Sequence, residues 1–139
     1  MDRLVALAED CPGAPRWTLT TWRQVLDSAV GGQQRSVLVA ESEGRLIAFG
    51  VVGIGGDEAE IESLAVKSDV RRKGIGRSLC ESLMHWARER RASKVLLEAR
   101  MSNDAARSLY QSLGFREIAA RKSYYREPEE DGVVMAREL

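Results

Sequence analysis

Histidine and cysteine are nearly missing from this sequence, which has one histidine (His85) and two cysteines (Cys11 and Cys80) among 139 residues. A metal site draws on several such ligands, so none is expected. The cysteines are far apart and form no CxxC pair, which argues against a disulfide scaffold and for a reducing cytoplasm. His85 falls in a helical run and is expected on the helix surface. Net charge is missing too: 21 Lys and Arg residues balance 21 Asp and Glu residues. A neutral chain has no global attraction to nucleic acid or to an anionic membrane, so neither is expected as a partner. No apolar run approaches the ~20 residues that span a bilayer. The opening "MDRLVALAED" carries acids early and has no signal-peptide core, which also points to the cytoplasm.

What is present is the composition of a soluble globular chain, with 44% apolar and 30% charged residues. The length suits a single domain over residues 1–139. Two helices are expected first. "DRLVALAED" is stopped by "CPGAP", and "TLTTWRQVLDSAV" has Thr18 or Thr20 as its N-cap and ends at "GGQQ". "SVLVAES" and "RLIAFGVVGIG" then form a hairpin through Gly44, and "EAEIESLAVKS" adds a third strand. Ile75, Leu79 and Leu83 begin an apolar stripe at helical spacing. "SKVLLEAR" reads as a strand. "NDAARSLYQSLG" reads as a helix with Asn103 as N-cap and Gly114 beyond its end. "FREIAARKSYY" and "GVVMAREL" are closing strands, with "REPEEDG" as an exposed loop between them. The order predicts an α/β (α+β) chain, a mixed sheet with helices on its faces.

The turn "RRKGIG" at residues 71–76 joins a strand to a helix. The first turn of a helix has unpaired N–H groups and a partial positive charge, and glycine lets an anion approach the backbone. Alone, such a turn is as readily a tight connection as a phosphate site. A P-loop is excluded because GxxxxGK[ST] is absent, and the dinucleotide fingerprint fails because Leu79 stands where its third glycine belongs.

A second motif changes the reading. Arg71, Gly74 and Gly76 meet the pattern [QR]xxGx[GA], and Asn103, Leu109, Tyr110, Leu113, Gly114 and Phe115 meet an Asn-led helix ending in LYxxLGF. Together they resemble the GNAT superfamily of acetyl-CoA-dependent N-acetyltransferases, over roughly residues 36–139. The segments "LLEAR", "SN.AA..LY.SLGF" and "YY" before an acidic loop are similar to RimI-type protein N-terminal acetyltransferases. The resemblance implies the GNAT fold, with a mostly antiparallel central sheet. It implies acetyl-CoA as cosubstrate, no metal, and a protein N-terminus as acceptor, the N-terminal alanine of a small-subunit ribosomal protein.

The resemblance also assigns roles. Arg71, Arg72, Lys73, Gly74, Ile75, Gly76 and Arg77 would cradle the pyrophosphate. Leu64, Ala65 and Val66 would run beside the pantetheine arm, at a bulge that splays neighbouring strands. Asn103 would contact the cofactor, although a simple N-cap explains it equally well. Glu98 would be the general base, with burial tuning it toward neutral pH; Glu62 and Glu60 on the preceding strand are rivals. An α-ammonium titrates near ~8, against ~10.4 for lysine, so one carboxylate suffices to deprotonate it. Tyr110 would protonate the departing thiolate, with core packing as the plain alternative. Glu62, Tyr124 and Tyr125 would shape the peptide cleft. Cys80 is expected as a small buried hydrophobe.

Two other readings use the same core: acetylation of a small-molecule amine or a lysine side chain, and a catalytically silent CoA-binding module. One departure from the family stands out. GNAT chains usually open with a strand of the type IxIRxAxxxD, and this chain starts at "MDRLVALAED". The "SVLVAES" strand is then expected at an open sheet edge, paired with a second molecule or covered by a crossing N-terminal segment; a mis-assigned start codon is the other explanation.

Overall fold

The computed structural model describes residues 2–11, 17–31, 34–70, 74–125 and 129–139. Two helices open it, α1 (Asp2–Asp10) and α2 (Leu19–Ala29). Thr18 caps α2, its hydroxyl accepting the Thr21 N–H at 3.1 Å. The strands β1 (Arg35–Ser42), β2 (Arg45–Gly55) and β3 (Glu58–Val66) follow, then α3 (Ile75–Glu89), β4 (Lys94–Arg100), α4 (Asp104–Ser112), β5 (Arg116–Tyr125) and β6 (Glu130–Glu138). The β1–β2 turn has Glu43 at φ 52° and Gly44 at φ 78°, the two left-handed residues that a tight two-residue hairpin uses.

The six strands form one sheet in the order β1-β2-β3-β4-β6-β5. Only β3 and β4 run parallel, linked by α3; the other neighbours are antiparallel. The expected mixed, mostly antiparallel sheet is therefore present, with β1 at one edge. Glu130 and Asp131, read from sequence as loop, belong to β6, which starts two residues before the Gly132 expected to open it; Gly132 pairs with Arg100 of β4 and Arg121 of β5. Charge in "EEDG" masked a strand start whose acids are used locally: Glu130 accepts from the Ser102 N–H and Arg100, and Asp131 from the Ser123 N–H. The prolines of "CPGAP", residues 32–33 of "GGQQ" and residues 126–128 of the acidic loop lie outside the described residues.

Each face of the sheet has its own core. On one, α3 and α4 bring Cys80, Leu83, Met84, Ala87 and Tyr110 onto Val52, Ile61, Val95 and Leu97. On the other, α1 and α2 bring Leu4, Leu7, Trp22 and Val25 onto Phe49, Val51 and Ala65. Trp22 meets Phe49 edge to face, with ring centroids 5.4 Å apart.

The assignment of β3 to both cores exposes its bulge. Val52 pairs with Ile61 but Val51 pairs with Ser63, so Glu62 is an extra residue. Ala59 and Ile61 face α3, whereas beyond the bulge Ala65 faces α1 and α2 and Leu64 turns toward α3. Opposite the bulge, the parallel β3–β4 ladder stops. It runs from Glu58–Lys94 to Ile61–Leu97, and the strands then part. The expected bulge and splay are present, with the bulge at Glu62 rather than at Leu64–Val66.

Cys80 is fully buried under α3, and burial, helped by the nearby Glu81, pushes its thiol up to about 12. An unfolded thiol titrates near ~8.5. Above that pH the unfolded chain loses a proton that the folded chain keeps, so stability is full below pH ~8.5 and falls as pH rises through the folded value. Denaturant titrations between pH 8 and 11 should record this decline, and Cys80→Ala should make it shallower. An identical decline in the variant would mean that Cys80 does not cause it.

Candidate active site

The opening between β3 and β4 exposes the ends of two strands to the same space. Along β4, Leu97 and Ala99 point into the α3/α4 core, so Glu98 between them points to the opposite face. Its side chain is only 19% exposed. One carboxylate oxygen, Oε1, accepts a hydrogen bond from Arg121 Nη1 at 2.7 Å. The other, Oε2, is buried without a hydrogen-bond partner. Among the described residues, Ser63 Oγ is the other buried side-chain atom of this kind, and Ser63 follows the bulge on the facing strand. A buried acceptor left unsatisfied costs on the order of 1–3 kcal/mol, and both such atoms belong to the two strands that part here.

Arg121 arrives from β5 across an intervening strand, β6. It pairs there with Gly132, which has no side chain to block the reach. Its guanidinium lies over the Tyr124 ring, 4.0 Å from the centroid, and Arg100 lies over Tyr125 at 4.6 Å. The two tyrosine rings meet edge to face at 5.1 Å. Arg121 and Tyr124 are three residues apart, which in a regular strand would put them on opposite faces. Ser123, at φ 52°, and the register slip between Arg121 and Tyr125 bring them together. The Ser123 N–H donates to Asp131 Oδ1 at 2.8 Å and holds that kink. Burial, then the negative charge of Glu98, pushes the Tyr125 phenol up to about 12.

Beside Glu98 on the same face runs a groove of about 350 Å³, lined by Arg35, Gly53, Glu58, Glu60, Glu62 and Leu96 among others. The bulged Glu62 is held by Arg35 at 2.7 Å, and Arg35 also donates to Ser28 Oγ at 2.7 Å. Gly53 leaves room for that pair: a Cβ there would lie 2.8 Å from Glu62 Oε1. Burial, then repulsion from Glu62 and Glu98, raises the Glu60 carboxyl above its ordinary range. The three carboxylates Glu60, Glu62 and Glu98 thus share one acidic wall. The rivals for the base lie together, but Glu62 is tied to a counter-ion away from the seam.

Tyr110 approaches from the other face. It is 7% exposed in the α3/α4 core, with Phe115 edge to face at 5.7 Å. Burial, then Cys80 and Tyr125, raises its phenol well above the usual range, so it keeps its proton. Beside it lies the start of α3. Gly74 caps α3 at φ 77° with no side-chain cap, and no acid occupies the first turn, which leaves the helix's positive end open. A Cβ on Gly74 would meet nothing within 4 Å, so its left-handed backbone, and not crowding, demands glycine. Gly76 nestles between Val66 and Leu109; a Cβ there would sit 3.5 Å from each. This joins the end of β3 and α4 to the helix start.

Of the remaining residues singled out by sequence, Ile75 begins α3. Arg77 turns toward α4, donating to Ser112 Oγ at 3.0 Å and pairing with Glu81. Asn103 caps α4 by accepting the Ala106 N–H at 3.1 Å. Leu64, Ala65 and Val66 form the end of β3 past the bulge. Arg71, Arg72 and Lys73 lie outside the described residues. Among the described residues no group of His, Cys, Asp or Glu side chains assembles as a metal site, and no helix is long and apolar enough to cross a membrane.

The sequence model of the acetyltransferase (GNAT) family matches residues 1–115. The chain belongs to that family. Within it, the [ribosomal protein bS18]-alanine N-acetyltransferase of Escherichia coli (strain K12) is 34% identical over 117 residues, 83% of this chain and 79% of that protein. The crystal structure of the ribosomal-protein-S18-alanine N-acetyltransferase from Escherichia coli superposes with a TM-score of 0.86 at 30% identity, covering 99% of this chain and 86% of that one. A GNAT family acetyltransferase from Elizabethkingia anophelis with acetyl-CoA bound has the same fold at 22% identity, with a TM-score of 0.77 over 94% of this chain and 90% of that one.

Sequence reasoning missed Arg121, Gly132, Ser63 and Arg35. The one available signal was Gly132 after three acids, a glycine inside what proved to be a strand, where close approach of another group is a common cause. A Cβ at Gly132 would lie 3.2 Å from Tyr125 Cε2 and 3.3 Å from Tyr124 Cδ2. Gly132→Val should therefore displace both rings and lower stability by roughly 1–3 kcal/mol, measured by urea unfolding. A midpoint equal to wild type would show that the rings do not depend on Gly132.

Proposed function

We propose that this GNAT-family chain transfers an acetyl group from acetyl-CoA to the α-amino group of a protein N-terminus, the alanine of a ribosomal protein being the first acceptor to test. The observation that carries the reading is the parted β3–β4 seam, with a partnered carboxylate, Glu98, on one face and a protonated phenol, Tyr110, on the other. The relatives named for alanine N-acetylation of bS18 support the choice of acceptor.

The residues present fit the cosubstrate. An uncapped helix start with a left-handed glycine offers backbone N–H groups to an anion. The end of β3, paired with β2 but parted from β4, lies next to it. Gly74, Ile75, Gly76 and Arg77, together with Arg71, Arg72 and Lys73, would hold the pyrophosphate, and Leu64–Val66 would flank the arm. Acetyl-CoA would supply the acetyl group as a thioester. Glu98 takes the ammonium proton, and the freed amine nitrogen then bonds to the carbonyl carbon. Tyr110 gives its proton to the sulfur as the carbon–sulfur bond breaks, and the second proton that the nitrogen sheds on becoming an amide restores the phenol. Cys80 is buried in its protonated form and takes no part, so no acyl-enzyme forms. Glu62, Tyr124 and Tyr125 line the peptide's approach.

Glu98→Gln and Tyr110→Phe should each lower kcat by about 10²-fold or more, with KM for acetyl-CoA nearly unchanged. The deficit of Glu98→Gln should shrink above pH ~9, where the substrate amine, with its pKa near ~8, has already lost its proton. The assay uses peptides with varied first residues, and a polyamine and an aminoglycoside as controls. Near-normal turnover of Glu98→Gln at pH 7 would make Glu62 the base instead. Faster turnover of the small amines than of any peptide would overturn the choice of acceptor.

A further inference from the structure

We propose that Arg121 is a positioning residue for Glu98, dividing its carboxylate into a held oxygen and a working one. The inference rests on Glu98 being the base. A carboxylate turns readily about its last bond, because terminal sp³–sp² torsions are broad and roughly two-fold. A base that swings presents its lone pairs in the wrong direction for much of the time. One charge-assisted bond, Arg121 Nη1 to Oε1 at 2.7 Å, stops that rotation. The other oxygen, Oε2, is buried and meets no donor among the described residues. It is the acceptor that remains for a substrate amine entering the seam.

Arg121 is itself held. Its side chain is about half exposed, yet its guanidinium rests on Tyr124 at 4.0 Å. Its path crosses Gly132, where any side chain would collide with the tyrosine pair. The kink at Ser123 serves the same end, since without it Tyr124 would face away from Arg121. Three separate features of β5 and β6 thus converge on the direction of one guanidinium. Only one N–H is spent on Glu98, so a lysine of suitable reach can take over part of the task, whereas alanine cannot.

The test is steady-state acetylation of an alanine-initiated peptide by wild type, Arg121→Ala, Arg121→Lys, Glu98→Gln and the double variant Glu98→Gln/Arg121→Ala. Arg121→Ala should lower kcat by about tenfold, the scale of a modest misplacement of a catalytic group. Its KM for acetyl-CoA and its thermal midpoint should stay at wild-type values. Arg121→Lys should recover part of kcat, and the double variant should be no slower than Glu98→Gln alone. The Arg121→Ala deficit should also fade at high pH in step with that of Glu98→Gln. Wild-type kcat in Arg121→Ala beside a crippled Glu98→Gln would overturn the role of Arg121 and leave the base in place. A raised peptide KM with unchanged kcat, or losses that multiply in the double variant, would make Arg121 a substrate contact instead. Near-normal Glu98→Gln would remove the base reading, and this inference with it.

Discussion

Two parallel strands that pair for four residues and then separate set the terms for the rest of this molecule. A continuous ladder would have hidden the backbone of β3 and β4 and left Glu98 on a closed surface. The bulge at Glu62 lets β3 turn away while its other edge stays bonded to β2. The strand keeps half its hydrogen bonds and releases the other half to face the gap. Around that gap the fold gathers a helix start, a buried phenol and a carboxylate, contributed by elements from both faces of the sheet.

The cost of such a gap is polar burial, and the structure meets that cost unevenly. Glu98 and Glu62 each have an arginine, whereas Glu98 Oε2 and Ser63 Oγ have none. Taking such acids out of water offsets much of what an ion pair gains, so a partly buried pair is weak evidence for stability. The arginines are better understood as fixing where the acids point. Arg121 and Arg100 lie over neighbouring tyrosines and so give side-chain order to this end of β5, an exposed edge strand.

The helices, the hairpin and the mixed sheet were legible because each rests on local rules: caps at Thr18 and Asn103, a left-handed Gly44, apolar spacing along α3. Glu98 and Tyr110 were singled out as candidates only through resemblance, since periodicity placed both as ordinary strand and core residues. The partners of Glu98 were not legible at all. Arg121 is brought to Tyr124 by a backbone kink at a serine, which no residue pattern announces. The parity change in β3 was hidden as well. Its burial alternates without a break through Ala59, Ile61, Ser63 and Ala65, although the first two and the last face different cores. Because helices cover both faces, burial repeats on schedule while the side it refers to has switched.

That concealed switch gives Glu62 a meaning apart from its charge. The residue acts as a phase shift in the strand. Excising the position would leave Ile61 and Leu64 two residues apart, so both would still face α3 and Ala65 would still face α1 and α2. What its loss would remove is the bend: Val51 and Val52 would face consecutive residues of a regular ladder, and nothing would turn β3 aside at the point where it parts from β4.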